Sequence, residues 1–346
     1  MAELNHPTRW IAAKPEGLYC IPGGFYIDPV RPVERAVITH GHADHARAGH
    51  GAVLATPETV AIMKARFGEG GTSFQALPYG QTIGLGGVSL RLVPAGHVLG
   101  SAQVVLEYGG GRFVASGDYK RQPDPTCAPF EVVPCDVFVT EATFALPVFR
   151  HPAPEGEIAR LLASLELFPE RAHVVGAYAL GKAQRLIALL RQAGWDRPVY
   201  LHGALQTLCS LYEAHGVPLG ELRPVPPAAR GSGGGLGGEV VLAPPSSLAT
   251  AWARRLAEPL TAAASGWMRV RQRARQGGVE LPLIISDHVD WPALNATIDE
   301  VGAPEVWITH GRDDALIHAL AQRGIQGRAL ALIGLGEGED EEPAAA

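Results

Sequence analysis

The stretch from Val37 to His45 reads VITHGHADH and sets His40, His42, Asp44 and His45 within six positions of a chain that holds 13 histidines. Imidazole nitrogens and carboxylate oxygens are the donor set of zinc and of neighbouring borderline metals. Four such residues so closely spaced could seat two ions. His40 and His42 are two apart, so period-2 alternation past a strand points both rings to one side. Asp44 and His45 follow where the chain would turn toward a helix. Further candidates stand alone: His97 in AGHVLGSA, Asp118 in ASGDYK, Glu141 in VTEATF, His288 in ISDHVDW and His310 in THGR. A lone histidine or carboxylate carries little weight. Each of these, however, sits at or just past the end of an apolar run. Such positions gather at one edge of a sheet, where loops carry function. Asp28, in FYIDP, reads equally well as a plain turn.

Two further stretches bear on anions. VVGAYALGKAQRL reads as a strand, a glycine turn and a helix beginning near Gly181. A helix start offers unpaired N–H groups and a positive dipole end. Lys182 lies in that first turn, where a cation is unfavourable for the dipole, and this suggests a ligand there. WMRVRQRARQGG carries Arg269, Arg271, Arg273 and Arg275 at alternate positions. They share one side of an extended chain and spread around a helix. Either way they form the densest positive cluster of an acidic protein and suit phosphate tracking. Trp267 and Trp291 are of a type that stacks on bases or fills a core. His6, His50, His151, His173, His202, His215 and His318 read as loop or helix-face residues without a role.

These residues need a scaffold. The first 140 residues or so are rich in short β-branched runs separated by Gly, Pro or Asp: LYCI, GFYID, RAVIT, AVLAT, QTIGLGG, VSLRLVPA, AQVVLEY, GRFVASG and DVFVT. One helix intervenes at PETVAIMKARF, with Pro57 near its start. From about residue 150, helical EGEIARLLASLEL, KAQRLIALLRQAG and ALQTLCSLYEAHG alternate with strands AHVVGAY, RPVYLHG and EVVLAPP. That alternation predicts parallel βαβ units. Residues 224–238, PVPPAARGSGGGLGG, read as a surface loop. Strands LPLIIS, EVWITH and RALALIG and helices after DHVDW and over DDALIHALAQRG complete the pattern. The acidic tail after about residue 335 reads as disordered.

Composition narrows the class. With 346 residues and 47% hydrophobic content, one large core or two are affordable. The net charge of −6 gives no global field for nucleic acid, so a polyanion site must be a local basic patch. No apolar run approaches a membrane span, and MAELNHPTRW lacks a signal peptide's apolar segment. Cys20, Cys127, Cys135 and Cys209 form no C-x-x-C pair, so a thiolate zinc site or disulfide framework is not expected. The expectation is a cytoplasmic protein without membrane attachment.

In order, H-x-H-x-D-H, AGHVLGSA, ASGDYK, VTEATF, ISDHVDW and THGR resemble the metallo-β-lactamase superfamily, and within it the β-CASP nucleases. Across about residues 8–335 the chain is most similar to the bacterial ligase-associated DNA-damage-response exonucleases. The resemblance implies an α/β fold: an αββα metallo-β-lactamase sandwich from residues 1–145 and 281–346, with an inserted α/β β-CASP cap at 146–280 and substrate between them. It implies that His40, His42 and His97 hold a first metal and that Asp44, His45 and His310 hold or approach a second. Asp118 would bridge them. Two divalent ions are implied, zinc first and manganese as the alternative. His288 would be a general acid oriented by Glu141, and Asp28 a buried carboxylate fixing the histidine loop. Asp44, His288, Glu141 and Asp28 are thereby the catalytic set. Gly181 and Lys182 resemble a segment lining the nucleic-acid cleft. The implied activity is 5′-end-directed exonucleolysis of single-stranded DNA in repair, in company with a DNA ligase and a helicase. His310 keeps RNA open, because a histidine at this last motif accompanies the RNA-acting members. A non-catalytic nucleic-acid-binding relative is disfavoured by the full ligand set.

Overall fold

The computed structural model of the protein describes residues 6–227, 235–256, 258–311 and 313–330. The acidic tail, the end of RALALIG and most of the arginine- and glycine-containing part of the 224–238 stretch lie outside the described residues. The chain forms two compact units, one running to Arg150 and resuming at His288, the other spanning His151–Asp287.

In the first unit the short apolar runs form two sheets. β1 (Ile11–Lys14), β2 (Gly17–Cys20), β3 (Phe25–Ile27), β4 (Arg35–Val37), β5 (Ala52–Ala55) and β6 (Ser73–Ala76) lie side by side in sequence order. The second sheet takes β7 (Thr82–Leu85), β8 (Val88–Pro94), β9 (Ala102–Tyr108), β10 (Gly111–Ala115) and β11 (Val137–Ala142). It is extended by β18 (Glu305–Gly311) and β19 (Gln326–Ala329) beyond β11. The hairpins β7–β8–β9–β10 are antiparallel, whereas β10, β11, β18 and β19 run parallel. Alternation along β8 buries Val88, Leu90 and Leu92. With Trp10, Leu18, Phe25, Phe113 and Trp307 they fill the space between the two sheets. Each such large side chain removed from water contributes roughly 1.5–3 kcal/mol.

Helices cover both outer faces. α1 (Pro57–Phe67) is capped by Thr56, whose hydroxyl accepts the Thr59 amide at 3.2 Å. It lays Val60 and Met63 against Ala36, Ile38, Val53 and Ala55. On the other side, α6 (Trp291–Val301) and α7 (Asp314–Gln322) bring Leu294, Ile298, Val301, Leu316 and Leu320 onto the second sheet. Asp290 caps α6 by accepting the Ala293 amide. The layers are therefore helix, sheet, sheet, helix, the αββα order expected.

The second unit is one parallel sheet in the order β14-β13-β15-β12-β16-β17: β12 (His173–Gly176), β13 (Val199–Leu201), β14 (Leu222–Pro224), β15 (Val240–Ala243), β16 (Leu260–Ala264) and β17 (Leu281–Leu283). α2 (Pro154–Leu167), α3 (Lys182–Gln192), α4 (Gly203–Ala214) and the short α5 (Arg271–Gln276) accompany it. The βαβ alternation read from the sequence accounts for most of these elements. β16, with the sequence LTAAA, escaped it because alanine gives no β signal. His173 is not a loop or helix-face residue. It is buried in β12 beside the Ser164 hydroxyl at 2.9 Å. No helix among the described residues is long and apolar enough to cross a membrane.

Candidate metal centre

The centre is assembled from strand ends of the first unit. β4 stops at Val37, and the chain then runs through Thr39 into His40. Thr39 is the residue that sequence reading passed over. Its amide and hydroxyl both donate to Asp28, at 2.8 and 2.6 Å. Its hydroxyl oxygen lies 3.0 Å from His40 Nδ1. Since that hydroxyl proton is spent on Asp28, the ring N–H donates to it, and His40 Nε2 presents a lone pair. Asp28 also accepts from His45 Nδ1 at 2.8 Å. One carboxylate so fixes the loop at two places. Asp28 itself is held at φ +42°, a conformation that costs a non-glycine residue energy. Its three hydrogen bonds offset the cost.

Beyond these anchors three imidazole nitrogens converge. His42 Nδ1 lies 3.1 Å from His40 Nε2 and 3.0 Å from His97 Nε2. Asp118 Oδ2 stands 3.6 Å from His40 Nε2 and 3.8 Å from His97 Nε2. On the other side of that oxygen, His45 Nε2 lies at 3.4 Å and is itself 3.6 Å from Asp44 Oδ2. Two donor groups result, His40–His42–His97–Asp118 and Asp44–His45–His310. Asp118 also falls in a third group, with Glu141 and His288.

Backbone geometry places two of these donors. Asp118 follows Gly117, held at φ +57°, where a Cβ would come within 2.8 Å of Thr39. His310 sits in a β-bulge. Glu141 pairs with Thr309 and Ala142 with Gly311, so His310 is the extra residue, at φ +53°. The bulge aims its ring toward His45, with centroids 5.0 Å apart.

Beside the first donor group, the buried Glu141 accepts the Tyr119 amide at 2.8 Å and the His288 Nδ1–H at 2.8 Å. His288 Nδ1 is 4.0 Å from Asp118 Oδ2. Its carbonyl accepts from the buried Lys120 ammonium at 2.9 Å.

The donor set fits divalent cations. Several lone pairs converge with too few protons among them, and Asp118 Oδ1 and His310 Nε2 are buried without a hydrogen-bond partner among the described residues. Buried polar atoms left so are costly. Burial, then the charge of His45, keeps His40 well below the usual imidazole range. For His45, burial acts the same way but is outweighed by Asp118, Asp44 and Asp28, which hold it well above that range. Burial, the largest single influence, draws His310 down.

The helix start at Gly181 has a different job from the phosphate grip expected of it. The Gly181 amide donates to Gln184 Oε1 at 2.8 Å, the Lys182 amide to Leu180 O and the Ala183 amide to Tyr178 O. Lys182 has no exposure, and its ammonium lies 3.1 Å from Asp287 Oδ2. These donors are engaged inside the protein, so the helix start does not offer them to an anion. The arginine run is helical from Arg271, so its side chains spread. Arg269, Arg271 and Arg275 are exposed, whereas Arg273 stacks its guanidinium 3.9 Å over the Trp267 ring. Trp291 packs against the core under α6.

Comparison with known proteins agrees with this geometry. Residues 28–172 match the model of the metallo-beta-lactamase superfamily. Over those residues, about two fifths of its length, the chain is similar to a metallo-β-lactamase domain. Members of that superfamily are usually hydrolases, and the His/Asp clusters of this domain are able to bind metal ions. A curated relative from Opitutus terrae, named a probable DNA ligase, is 29% identical over 326 residues. The match takes in 93% of this chain but 31% of that protein, so the chain spans about a third of its relative's length. A crystal structure of a protein of unknown function from Enterococcus faecalis V583 shares the fold, with a TM-score of 0.57 at 14% identity over 85% of this chain and 78% of that one.

Proposed function

We propose that this protein is a metal-dependent phosphodiesterase that degrades single-stranded DNA from a 5′ end during DNA repair. The observation that carries this reading is the junction at Asp118, where two His/Asp donor groups meet beside a histidine held by a buried glutamate. His40, His42, His97 and Asp118 would hold one ion, and Asp44, His45 and His310 with Asp118 a second, with zinc the best match to these donors and manganese the alternative. Two such ions supply Lewis acidity to the oxygens of an in-line phosphoryl displacement. The rest falls to the chain's own groups. His288 donates a proton to the departing 3′-oxygen from Nε2, because Nδ1 is bound to Glu141. Glu141 fixes that tautomer and favours the charged ring. A β-lactam hydrolase has no need of a proton donor so arranged, nor of a second unit the size of His151–Asp287.

The choice of nucleic acid rests on three supports. Arg269, Arg271 and Arg275 form an exposed basic patch on an acidic chain. The resemblance to β-CASP nucleases covers about residues 8–335, with residues 146–280 as the inserted β-CASP domain. The Opitutus relative is named for joining DNA, and strands to be joined first need trimmed ends. A ligase and a helicase are accordingly the expected companions. RNA is the second reading, favoured by His310 in the second donor group.

The test is a time course on end-labelled single-stranded DNA and RNA of one sequence, with 5′-phosphate or 5′-hydroxyl, and on circular single strands. Stepwise loss from the 5′ end of DNA is expected, with circles left intact. Faster RNA cleavage would promote the second reading. Cuts in the circles would remove end recognition, and inertness toward every strand would sink the reading as a whole.

A further inference from the structure

Five consecutive residues leading into the centre are each held by a buried charged side chain. Glu157 of α2 accepts the Ile284 amide at 2.8 Å. Lys182 of α3 donates to the Ile285 carbonyl at 3.1 Å and pairs with Asp287. Arg185, one turn further along α3, donates to the Ser286 carbonyl at 2.9 Å and lies 3.7 Å from the other Asp287 oxygen. The next residue is His288, whose carbonyl is held by Lys120. Glu157, Lys182, Arg185 and Lys120 are all buried, none more than 6% exposed.

Stability alone does not call for this arrangement. Taking charges out of water is expensive, and apolar side chains of similar volume often serve a fold as well or better. What buried charges add is direction. β17 ends at Leu283, and past it the backbone needs partners other than a neighbouring strand. Charge-assisted hydrogen bonds are short and directional, so they fix where residue 288 begins. A misplacement of about 1 Å in a reacting group costs on the order of 10²-fold in rate.

We infer that Glu157, Lys182 and Arg185 are positioning residues for His288: they set the 284–287 segment so that the imidazole meets Glu141 and faces the centre. This rests on the reading of His288 as proton donor. It gives Lys182 and Asp287 a purpose that neither metal binding nor phosphate contact supplies.

The variant to build is Lys182→Met with Asp287→Leu, which replaces the ion pair by apolar groups instead of stranding one charge. Asp287→Asn, nearly isosteric, serves if the double variant fails to fold and should follow it more weakly. Two substrates separate the roles: a DNA oligomer, and the p-nitrophenyl ester of thymidine 5′-phosphate, whose leaving group needs no proton. The double variant should keep its metal content. Its kcat on DNA should fall on the order of 10- to 100-fold, within the range of a general acid's contribution, with KM unchanged. The p-nitrophenyl ester should be nearly unaffected, and combining the double variant with His288→Ala should give a rate on DNA no lower than that of His288→Ala alone. Equal losses on both substrates, full activity on both, a triple variant slower on DNA than His288→Ala alone, or a raised KM alone would each overturn the inference. A crystal structure of the double variant reads the same point without turnover. His288 should leave Glu141, and an unchanged 2.8 Å bond would refute positioning even if the protein proves not to be a nuclease.

Discussion

Asp118 carries its charge among four imidazoles, those of His40, His45, His97 and His288. Burial would raise its carboxyl, but His45 foremost, then His288 and His40, hold it well below the usual carboxylate range. His45 is the reciprocal case, held well above the imidazole range despite its burial. In metal-free protein this pairing stabilises the fold below the unfolded histidine pKa. It is lost as pH rises through the raised value of His45, or as pH falls through the lowered value of Asp118. A cation entering the Asp44–His45–His310 group must displace the His45 proton, whereas His40 is already neutral. Acidification below neutrality should therefore release the second ion before the first. Metal analysis after dialysis across pH checks this, and simultaneous loss of both ions would contradict it. Asp118→Ala, which removes a carboxylate that belongs to the first group and lies 3.4 Å from His45 of the second, should lower the content of both and abolish hydrolysis. His288→Ala should instead retain the metals and lose on the order of 10²–10⁴ in rate on DNA. Retained activity in that variant would make the histidine structural.

Among elements, the bulge between β11 and β18 matters most to the centre. It frees His310 from the ladder and depends on Gly311, which sits at φ +83° with the place of a Cβ 2.2 Å from the Ala142 carbonyl. Gly311→Ala meets both the handedness penalty, about 1–2 kcal/mol, and that contact. The expected outcome is a lowered melting temperature and loss of one of the two ions, with the His40–His42–His97 group still loaded. A variant that melts like the parent and keeps both ions would show that the bulge is not needed. The bulge was illegible in THGR, because a bulge depends on the partner strand. Much else was legible. PETVAIMKARF has Pro57 at its first position and is flanked by Thr56 and Gly68, its cap and stop, and the H-x-H-x-D-H run sits where a strand must end. The roles of Thr39, Lys120 and Asp287 were not legible, although each lies within two positions of a residue that was singled out. Their chemistry comes from burial and from partners up to 168 positions away, and no spacing rule encodes that. Lys182 was misjudged for the same reason: a helix start looks alike in sequence whether its lysine faces solvent or Asp287.

For the whole molecule, a net charge of −6 sets the terms on which a polyanion can be held. Long-range attraction is absent, so binding must come from short-range contacts at a local patch. α5 puts Arg271 and Arg275 four positions apart and thus on one face, both exposed. Arg273 turns instead onto Trp267, where it adds a stacking surface more than a free charge. These two kinds of contact respond differently to salt. Each phosphate contact on a single strand contributes about 0.7 to the slope of log K against log salt. Arg271→Ala with Arg275→Ala should therefore flatten the slope by about 1.4 and weaken all sequences alike. Arg273→Ala should weaken binding with little change of slope, since what it removes is largely stacking. Fluorescence anisotropy of a labelled single strand over a salt series makes the measurement. If the paired substitution leaves the slope unchanged, the patch is only a solvated face, and the basic path for the substrate must be sought elsewhere on the chain.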